Sequence, residues 1–391
     1  MQYKKRLIFW ASCAGILMFG ISVLTLGSIA PDLRLKLGLD ERSAGTLFSV
    51  LPAGMLTGSL IFGPVADRFG YRILLASACF TLFAGFEGIA IVSSKTLINL
   101  FVFIAGTAGG AINGSTSALV ADISDDKKGA DLSLLGSFFC IGAFGMPLLL
   151  GLLKPWFSFE ALLTVVGILT MLTGILFLSI KFPPPKQPFG FPLKQSMKLI
   201  RDGVLILIAF FLFFQGSTEA LINNWTTTYL IDRFPIVQSK ALYALSAFVA
   251  GMTIMRLLGG RILRTMAEKN LMYISFALSL TGLLLIKAGG GFTLAATGLF
   301  LTGTGLAVGF PVMLGLAGNR YPHLSGTAFS LVLSVSLIGN MLINYGMGFI
   351  ASAFGIRFLS SAILVELAIM ILIGITIFSK TKISGITSSL K

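Results

Sequence analysis

The chain has 391 residues, of which 55% are hydrophobic and only 11% are charged, and its formal net charge is +14. A soluble globular domain is usually about one quarter charged, so this composition excludes a water-exposed domain of this size. The basic residues are spread between long apolar segments, which argues against a nucleic-acid-binding patch and favours a membrane protein.

The apolar segments predict twelve transmembrane helices. Runs of roughly 18 to 25 apolar residues recur along the chain, the length needed to cross the hydrocarbon core of a bilayer. The predicted helices 1 to 12 are 7–30, 44–66, 72–93, 97–121, 130–153, 158–180, 203–231, 240–264, 270–288, 292–317, 325–351 and 358–379. Helix 1 follows three basic residues as in a signal peptide, but it is too long for one and is interpreted as a retained span.

The distribution of lysine and arginine predicts the orientation of these helices. Segments on the side of the N-terminus carry 20 of the 29 Lys and Arg residues. Cytoplasmic loops are the ones enriched in basic residues, so we expect both termini in the cytoplasm. The location expected is the plasma membrane, or the inner membrane if the source is a Gram-negative bacterium.

A hydrophilic segment divides the twelve helices into two sets of six. Residues 182–202 carry five prolines among lysines, which indicates a stiff and basic cytoplasmic linker. We therefore expect an N-terminal bundle at 1–181 and a C-terminal bundle at 203–391. Within the linker, residues 193–201 could form a short helix on the inner membrane surface.

An internal repeat relates the two sets of helices. A shift of 197 residues without gaps aligns Ser49, Ala53, Gly54, Met55, Leu60 and Gly63 with Ser246, Ala250, Gly251, Met252, Leu257 and Gly260. The same shift aligns Gly106 and Thr107 with Gly303 and Thr304. Chance is the alternative, since Leu, Ala and Gly are common in membrane helices. One register across several helices favours a true repeat, with a solute site where the halves meet.

The segment between predicted helices 2 and 3 resembles a family signature. It reads Gly63-Pro64-Val65-Ala66-Asp67-Arg68-Phe69-Gly70-Tyr71-Arg72 and is similar to the major facilitator pattern G-x-x-x-D-R-x-G-R-[RK], with Tyr71 where Arg is usual. The resemblance implies an all-α membrane protein with twelve helices in two pseudo-symmetric bundles. It also implies a conformational latch that closes the cytoplasmic side, formed by Gly63, Asp67, Arg68, Gly70 and Arg72. The alternative is a tight basic turn that anchors topology.

Other stretches look like the fucose, galactose and glucose proton-symporter branch of that superfamily. These stretches are 215–219 (QGSTE), 224–225 (NW), 228–230 (TYL) and 309–311 (GFP). This chain differs in carrying Asn113 where that branch often has an acidic residue. Residues 142–147 (GAFGMP) resemble a stretched form of the antiporter G-P motif, which keeps an exporter as an alternative.

Polar residues inside the predicted spans are the candidates for solute binding, because a polar group in the bilayer needs a partner or a water-filled cavity. Amides offer both donors and acceptors to the hydroxyls of a sugar, and aromatic rings offer a platform for its apolar face. The candidates are Asn113, Gln215, Asn223, Asn224, Trp225, Phe310, Asn340, Asn344 and Tyr345. The alternative is interhelical hydrogen bonding that only holds the bundle together.

Three carboxylates lie within predicted spans and away from their ends: Glu87, Glu219 and Glu366. Desolvation favours the neutral form of a carboxyl group, so such a residue can load and release a proton near neutral pH. Helix 7 faces the cavity in the family plan, which makes Glu219 the candidate for proton coupling. Glu87 and Glu366 are expected to be structural, and Arg256 is expected to extend to the interface or to pair with a carbonyl.

These features predict a secondary active transporter that moves a small polar solute by alternating access. Proton-coupled symport of a sugar or sugar-like compound is the first expectation. The alternatives are a drug or amphiphile exporter and, less favoured, a non-transporting sensor or lipid scramblase. The sequence carries no catalytic triad, metal cluster or phosphate loop, so we expect no enzyme activity, metal or cofactor. The expected partners are the solute, protons and the bilayer, without nucleic acid, and the expected form is a monomer.

Overall fold

A computed structural model describes residues 4–124, 128–184, 201–321 and 325–388 of the chain. Within these ranges the regular structure is helical, and twelve helical stretches are long and apolar enough to cross a membrane. They are α1 Lys5–Ser28, α2 Glu41–Phe62, α3 Arg68–Ile91, α4 Lys95–Ile123, α5 Leu134–Leu153, α6 Phe159–Ser179, α7 Gly203–Arg233, α8 Gln238–Leu258, α9 Glu268–Ala288, α10 Phe292–Arg320, α11 Ala328–Phe354 and α12 Ile356–Lys380.

The predicted fold class and the number of spans are confirmed. Each predicted helix overlaps its observed counterpart and differs from it by a few residues at the ends. A short helix over Ala30–Leu37 connects α1 to α2, and it ends at Gly38 in the left-handed conformation. Most of the predicted linker, together with the short surface helix expected at 193–201, lies outside the described residues.

Three local sequence features set the ends and breaks of the helices. The Asp40 side chain accepts a hydrogen bond from the Ser43 backbone N–H and caps α2. Hydrogen bonds from the Ser43 side chain and from its backbone N–H hold the pKa of Asp40 below its ordinary value. Between α2 and α3 the chain turns at Gly70, where φ is 80° and ψ is 160°, a conformation that favours glycine. In α10, helices Phe292–Leu306 and Gly309–Arg320 meet just before Pro311, which has no N–H to continue the ladder.

Tertiary contacts group the chain into two compact units. The first unit is Met1–Phe189 with Asn223–Ser246, and the second is Gly190–Ile222 with Ala247–Lys391. In the first unit α1 packs on α5, α2 and α3 pack on α4, and α3 packs on α6. In the second unit α9 packs on α10 and α12. The predicted bundle boundaries at 181 and 203 stay a prediction, and the contact units differ from them because the end of α7 and the start of α8 group with the first unit.

Glycine contacts repeat between the units at the offset found in the sequence. A Cβ added at Gly54 in α2 would collide with the backbone carbonyl oxygen of Phe103 in α4. A Cβ added at Gly251 in α8 would collide in the same way with the carbonyl oxygen of Phe300 in α10. Gly251 and Phe300 each lie 197 positions after Gly54 and Phe103, respectively. The α2–α4 and α8–α10 contacts are therefore equivalent close approaches, each of which needs glycine.

Candidate functional site

The centre of α7 carries a hydrogen-bonded pair of polar side chains. Gln215 and Glu219 are one helical turn apart on one face, and the Gln215 amide donates to Glu219 Oε1 over 3.1 Å. The second amide hydrogen of the fully buried Gln215 bonds the Leu306 carbonyl in α10 at 2.8 Å. Gln215 Oε1 lies against Gly309, where a Cβ would collide with it. The glutamine thereby fixes the position of the Glu219 carboxylate relative to α10.

Arg256 of α8 provides the opposite charge for this carboxylate. Its Nη2 lies 3.7 Å from Glu219 Oε2, close enough for an ion pair and too far for a hydrogen bond. The side chains of Glu219 and Arg256 are 16% and 26% exposed, so neither is sealed within the protein. The pair is a site of zero net charge whose two members remain accessible.

A second carboxyl group, Glu366 of α12, is buried against α7. Glu366 of α12 is 5% exposed and contacts Ser217 Oγ at 3.0 Å and Thr218 Oγ1 at 2.6 Å. Ser217 Oγ also lies 3.0 Å from the Phe214 carbonyl, and a single hydroxyl proton can be donated to only one of these two oxygens. A proton on Glu366 would satisfy both contacts, because the carboxyl would then donate to Ser217. This environment is compatible with the structural role expected for Glu366.

The signature segment between α2 and α3 connects neighbouring helices of the first unit. Arg72 donates through Nε to the Leu178 carbonyl at the end of α6, over 3.0 Å. Tyr71, which stands where the signature has arginine, contacts Asp122 at the end of α4 through its hydroxyl, over 3.0 Å. Arg68 lies over the Phe69 ring. The side chain of Asp67, like the environment of Gly63, lies outside what the structure describes, so the latch stays a prediction.

Comparison with known proteins identifies the family. The family model of the Major Facilitator Superfamily matches residues 11–343, most of the chain. The chain belongs to the Major Facilitator Superfamily. Its members in the comparisons are named as transporters, so the chain is an integral membrane protein of a transporter superfamily rather than an enzyme.

Within the superfamily, sequence similarity to curated members is partial. The 4-hydroxybenzoate transporter PcaK of Pseudomonas aeruginosa is 29% identical over 168 residues. That alignment covers 42% of this chain and 37% of the relative, so the chain matches little more than a third of the relative's length. The name 4-hydroxybenzoate describes the substrate of that relative.

Solved structures of major facilitator transporters share the fold. The nucleoside transporter NupG superposes with a TM-score of 0.76 at 17% identity and covers 97% of this chain and 99% of its own. The D-xylose–proton symporter gives a TM-score of 0.76 at 14% identity and covers 93% of this chain and 96% of its own. At these identities the likeness demonstrates the fold alone.

The solute-binding candidates fall into two groups by burial. Gln215, Asn224, Trp225 and Asn344 are buried. The Trp225 ring packs edge-on against Phe48 at 5.0 Å, and Asn344 donates to Asn340 Oδ1 at 2.9 Å. The remaining candidates keep accessible surface: Asn113, Asn223, Phe310, Asn340 and Tyr345. Asn223 Oδ1 is itself buried without a donor among the described residues.

Two charged contacts were not predicted from the sequence. Arg256 pairs with Glu219 rather than with a carbonyl. The presence of a cation within an apolar span is the sequence feature that could have predicted a charged partner for it. Asp32, after α1, pairs with Lys154 after α5 and accepts a hydrogen bond from Gln238 at 2.6 Å, at the start of α8. These three residues all lie in the first unit and hold the end of α1 against α5 and α8.

Proposed function

We propose that this protein is a secondary transporter that moves a small polar solute by alternating access and couples the movement to protons at Glu219. The observation that carries the proposal is the position of this carboxylate. It lies at the centre of α7, oriented by Gln215 and balanced by Arg256, and its side chain is 16% exposed.

The surroundings of this carboxylate act on its charge in opposite directions. Without a proton, Glu219 is compensated by the guanidinium of Arg256 at 3.7 Å. With a proton, it is neutral and keeps the hydrogen bond from Gln215 to Oε1. Since desolvation disfavours the charge and the cation favours it, small changes around the pair can shift the proton on or off. A group of this kind can bind a proton on one side of the membrane and release it on the other.

The solute is proposed to be small and polar. Asn113, Asn223 and Asn340 retain accessible surface and carry the donor and acceptor pairs that suit a sugar-like compound. Three of the proteins with similar sequence or structure are named for 4-hydroxybenzoate, nucleosides and xylose, which are small and polar. This range supports a polar solute more than the amphiphilic substrate of an exporter.

Reconstituted vesicles with an imposed pH gradient test the coupling. Candidate solutes are 4-hydroxybenzoate, xylose and a nucleoside, and wild-type protein is expected to concentrate at least one of them inside alkaline vesicles. Glu219→Gln removes the charge but keeps size and donor capacity, so it should exchange solute across the membrane without concentrating it. Glu87→Gln and Glu366→Gln are the matched controls and should still concentrate it. Accumulation by Glu219→Gln would contradict the proposal, and pH-dependent dye efflux by the wild type would favour the exporter.

A further inference from the structure

The guanidinium of Arg256 has unused hydrogen-bonding capacity within a membrane span. It carries five N–H donors, and among the described residues its one ionic or hydrogen-bonding contact is the ion pair with Glu219. At 3.7 Å that contact leaves every donor without a hydrogen-bond acceptor in the described part of the chain. About a quarter of the side chain is exposed, so the guanidinium is not fully enclosed by the described part of the chain. The planar fork of donors matches the two oxygens of a carboxylate.

Few charged groups lie within the transmembrane helices of the second unit, and they identify the counter-ion of Arg256. Between their ends, α9, α10 and α11 carry no Asp, Glu, Lys or Arg. The charged groups away from the helix ends are Glu219 on α7 and Glu366 on α12, and Arg256 lies two residues before the end of the α8 span at Leu258. Glu366 faces the hydroxyls of Ser217 and Thr218, so Arg256 has Glu219 as its counter-ion.

Loading a proton on Glu219 therefore leaves Arg256 without a counter-ion among the described residues. An unpaired cation in a region of low dielectric is strongly unfavourable, and it either gains a new anion or resists protonation of its partner. A neutral sugar does not supply a negative charge. A solute carboxylate does, and it also accepts the free N–H donors of the guanidinium.

We propose that Arg256 binds a carboxylate group and that the transported solute is a small monocarboxylate carried together with one proton on Glu219. The inference rests on the proposed coupling at Glu219 and narrows the solute from a small polar compound to an anion. The site has zero net charge before loading, with the Glu219–Arg256 pair. It has zero net charge after loading, with neutral Glu219 and a carboxylate on Arg256. Transport is then electroneutral, and no covalent bond is made or broken.

Binding of benzoate and of its neutral analogue benzamide to purified protein tests the role of Arg256. The wild type should bind benzoate and not benzamide, because the two share the ring and differ in charge. Arg256→Gln should weaken benzoate binding by roughly 10- to 100-fold, the value of hydrogen bonds to a charged group, and Arg256→Lys should weaken it less. Lys287→Gln, which removes a cation at the end of α9, is the control and should bind normally. Equal binding of benzamide, no binding of benzoate, or normal binding by Arg256→Gln would each overturn the inference.

The pH dependence of the same binding separates proton linkage from simple charge attraction. Wild-type affinity for benzoate should fall as pH rises, by up to about tenfold per pH unit for one linked proton. Glu219→Gln mimics the protonated state, so its affinity should stay high and vary little with pH. A steep pH dependence that persists in Glu219→Gln would place the linked proton elsewhere.

Vesicles with an imposed membrane potential distinguish this inference from the proposed function. One proton with one monocarboxylate carries no net charge, so a potential alone should not drive benzoate uptake while a pH gradient should. If an inside-negative potential drives uptake of a neutral solute such as xylose and Glu219→Gln abolishes it, proton coupling stands and the anion inference fails. If neither gradient drives any of these solutes, both fail.

Discussion

The equivalent glycines Gly54 and Gly251 give a quantitative test of the repeated packing. Each lies where a Cβ would meet a backbone carbonyl oxygen of the neighbouring helix, Phe103 in one unit and Phe300 in the other. Neither carbonyl is the end of a flexible side chain, so the helices themselves must separate to accept alanine. Overpacking of this kind costs about 1–3 kcal/mol, whereas the gain in helix propensity from Gly to Ala is about 1 kcal/mol. The net expectation for either substitution is destabilisation of up to about 2 kcal/mol.

Thermal unfolding of the detergent-purified protein, followed by tryptophan fluorescence, measures this effect. Gly54→Ala and Gly251→Ala should lower the unfolding midpoint by similar amounts, since the contact is the same in both units. Gly145→Ala is the control, because a Cβ there meets nothing within 4 Å among the described residues, and its midpoint should stay or rise. If both variants unfold at or above the wild-type midpoint, the close approach inferred at these glycines is wrong.

Three further predictions address topology, the latch and a polar cluster. Reporters fused at Lys391 and within 182–202 should both report cytoplasm, and a signal from the opposite side at either point would overturn the orientation. Asp67→Asn should slow transport with little loss of stability and make a cysteine introduced at position 113 more reactive from the cytoplasm; unchanged reactivity with normal transport would refute the latch. Burial raises the pKa of Asp202, but hydrogen bonds from Arg320, Tyr321 and the Val204 and Leu205 N–H groups outweigh it and lower the pKa from 3.8 to about 2. Because the pKa of Asp202 is depressed in the folded state, its ionised carboxylate stabilises the fold at neutral pH, and this stabilisation is lost as the pH falls from about 4 to 2. The difference in thermal unfolding midpoint between wild type and Asp202→Asn should therefore shrink over that pH range.

Hydropathy was sufficient to predict the number and positions of the transmembrane helices. Each bilayer-spanning helix needs a long apolar run, so the twelve spans could be counted directly from the chain. The offset of 197 residues identified Gly54 and Gly251 as equivalent, and their backbone contacts agree with it. In the signature segment, a tight turn was the alternative to the predicted latch, and the structure has positive φ at Gly70.

The chemistry of the site could be predicted only within single helices. Gln215 and Glu219 are four residues apart, so helical geometry alone places them on one face. The contact between Glu219 and Arg256 depends on how α7 and α8 are rotated about their axes, which apolar helices specify through packing rather than through a local pattern. The same reason hid the contacts of Glu366 with Ser217 and Thr218 and the burial of Trp225 against Phe48.

Solute-driven proton movement is the most direct test of coupling at Glu219. Vesicles containing wild-type protein and a trapped pH-sensitive dye, with no initial pH gradient, should acidify inside when the transported solute is added outside. Glu219→Gln should exchange the same solute without any acidification, while Glu366→Gln should acidify like the wild type. Acidification by Glu219→Gln at the wild-type rate would contradict the account, because the proton would then travel on another group.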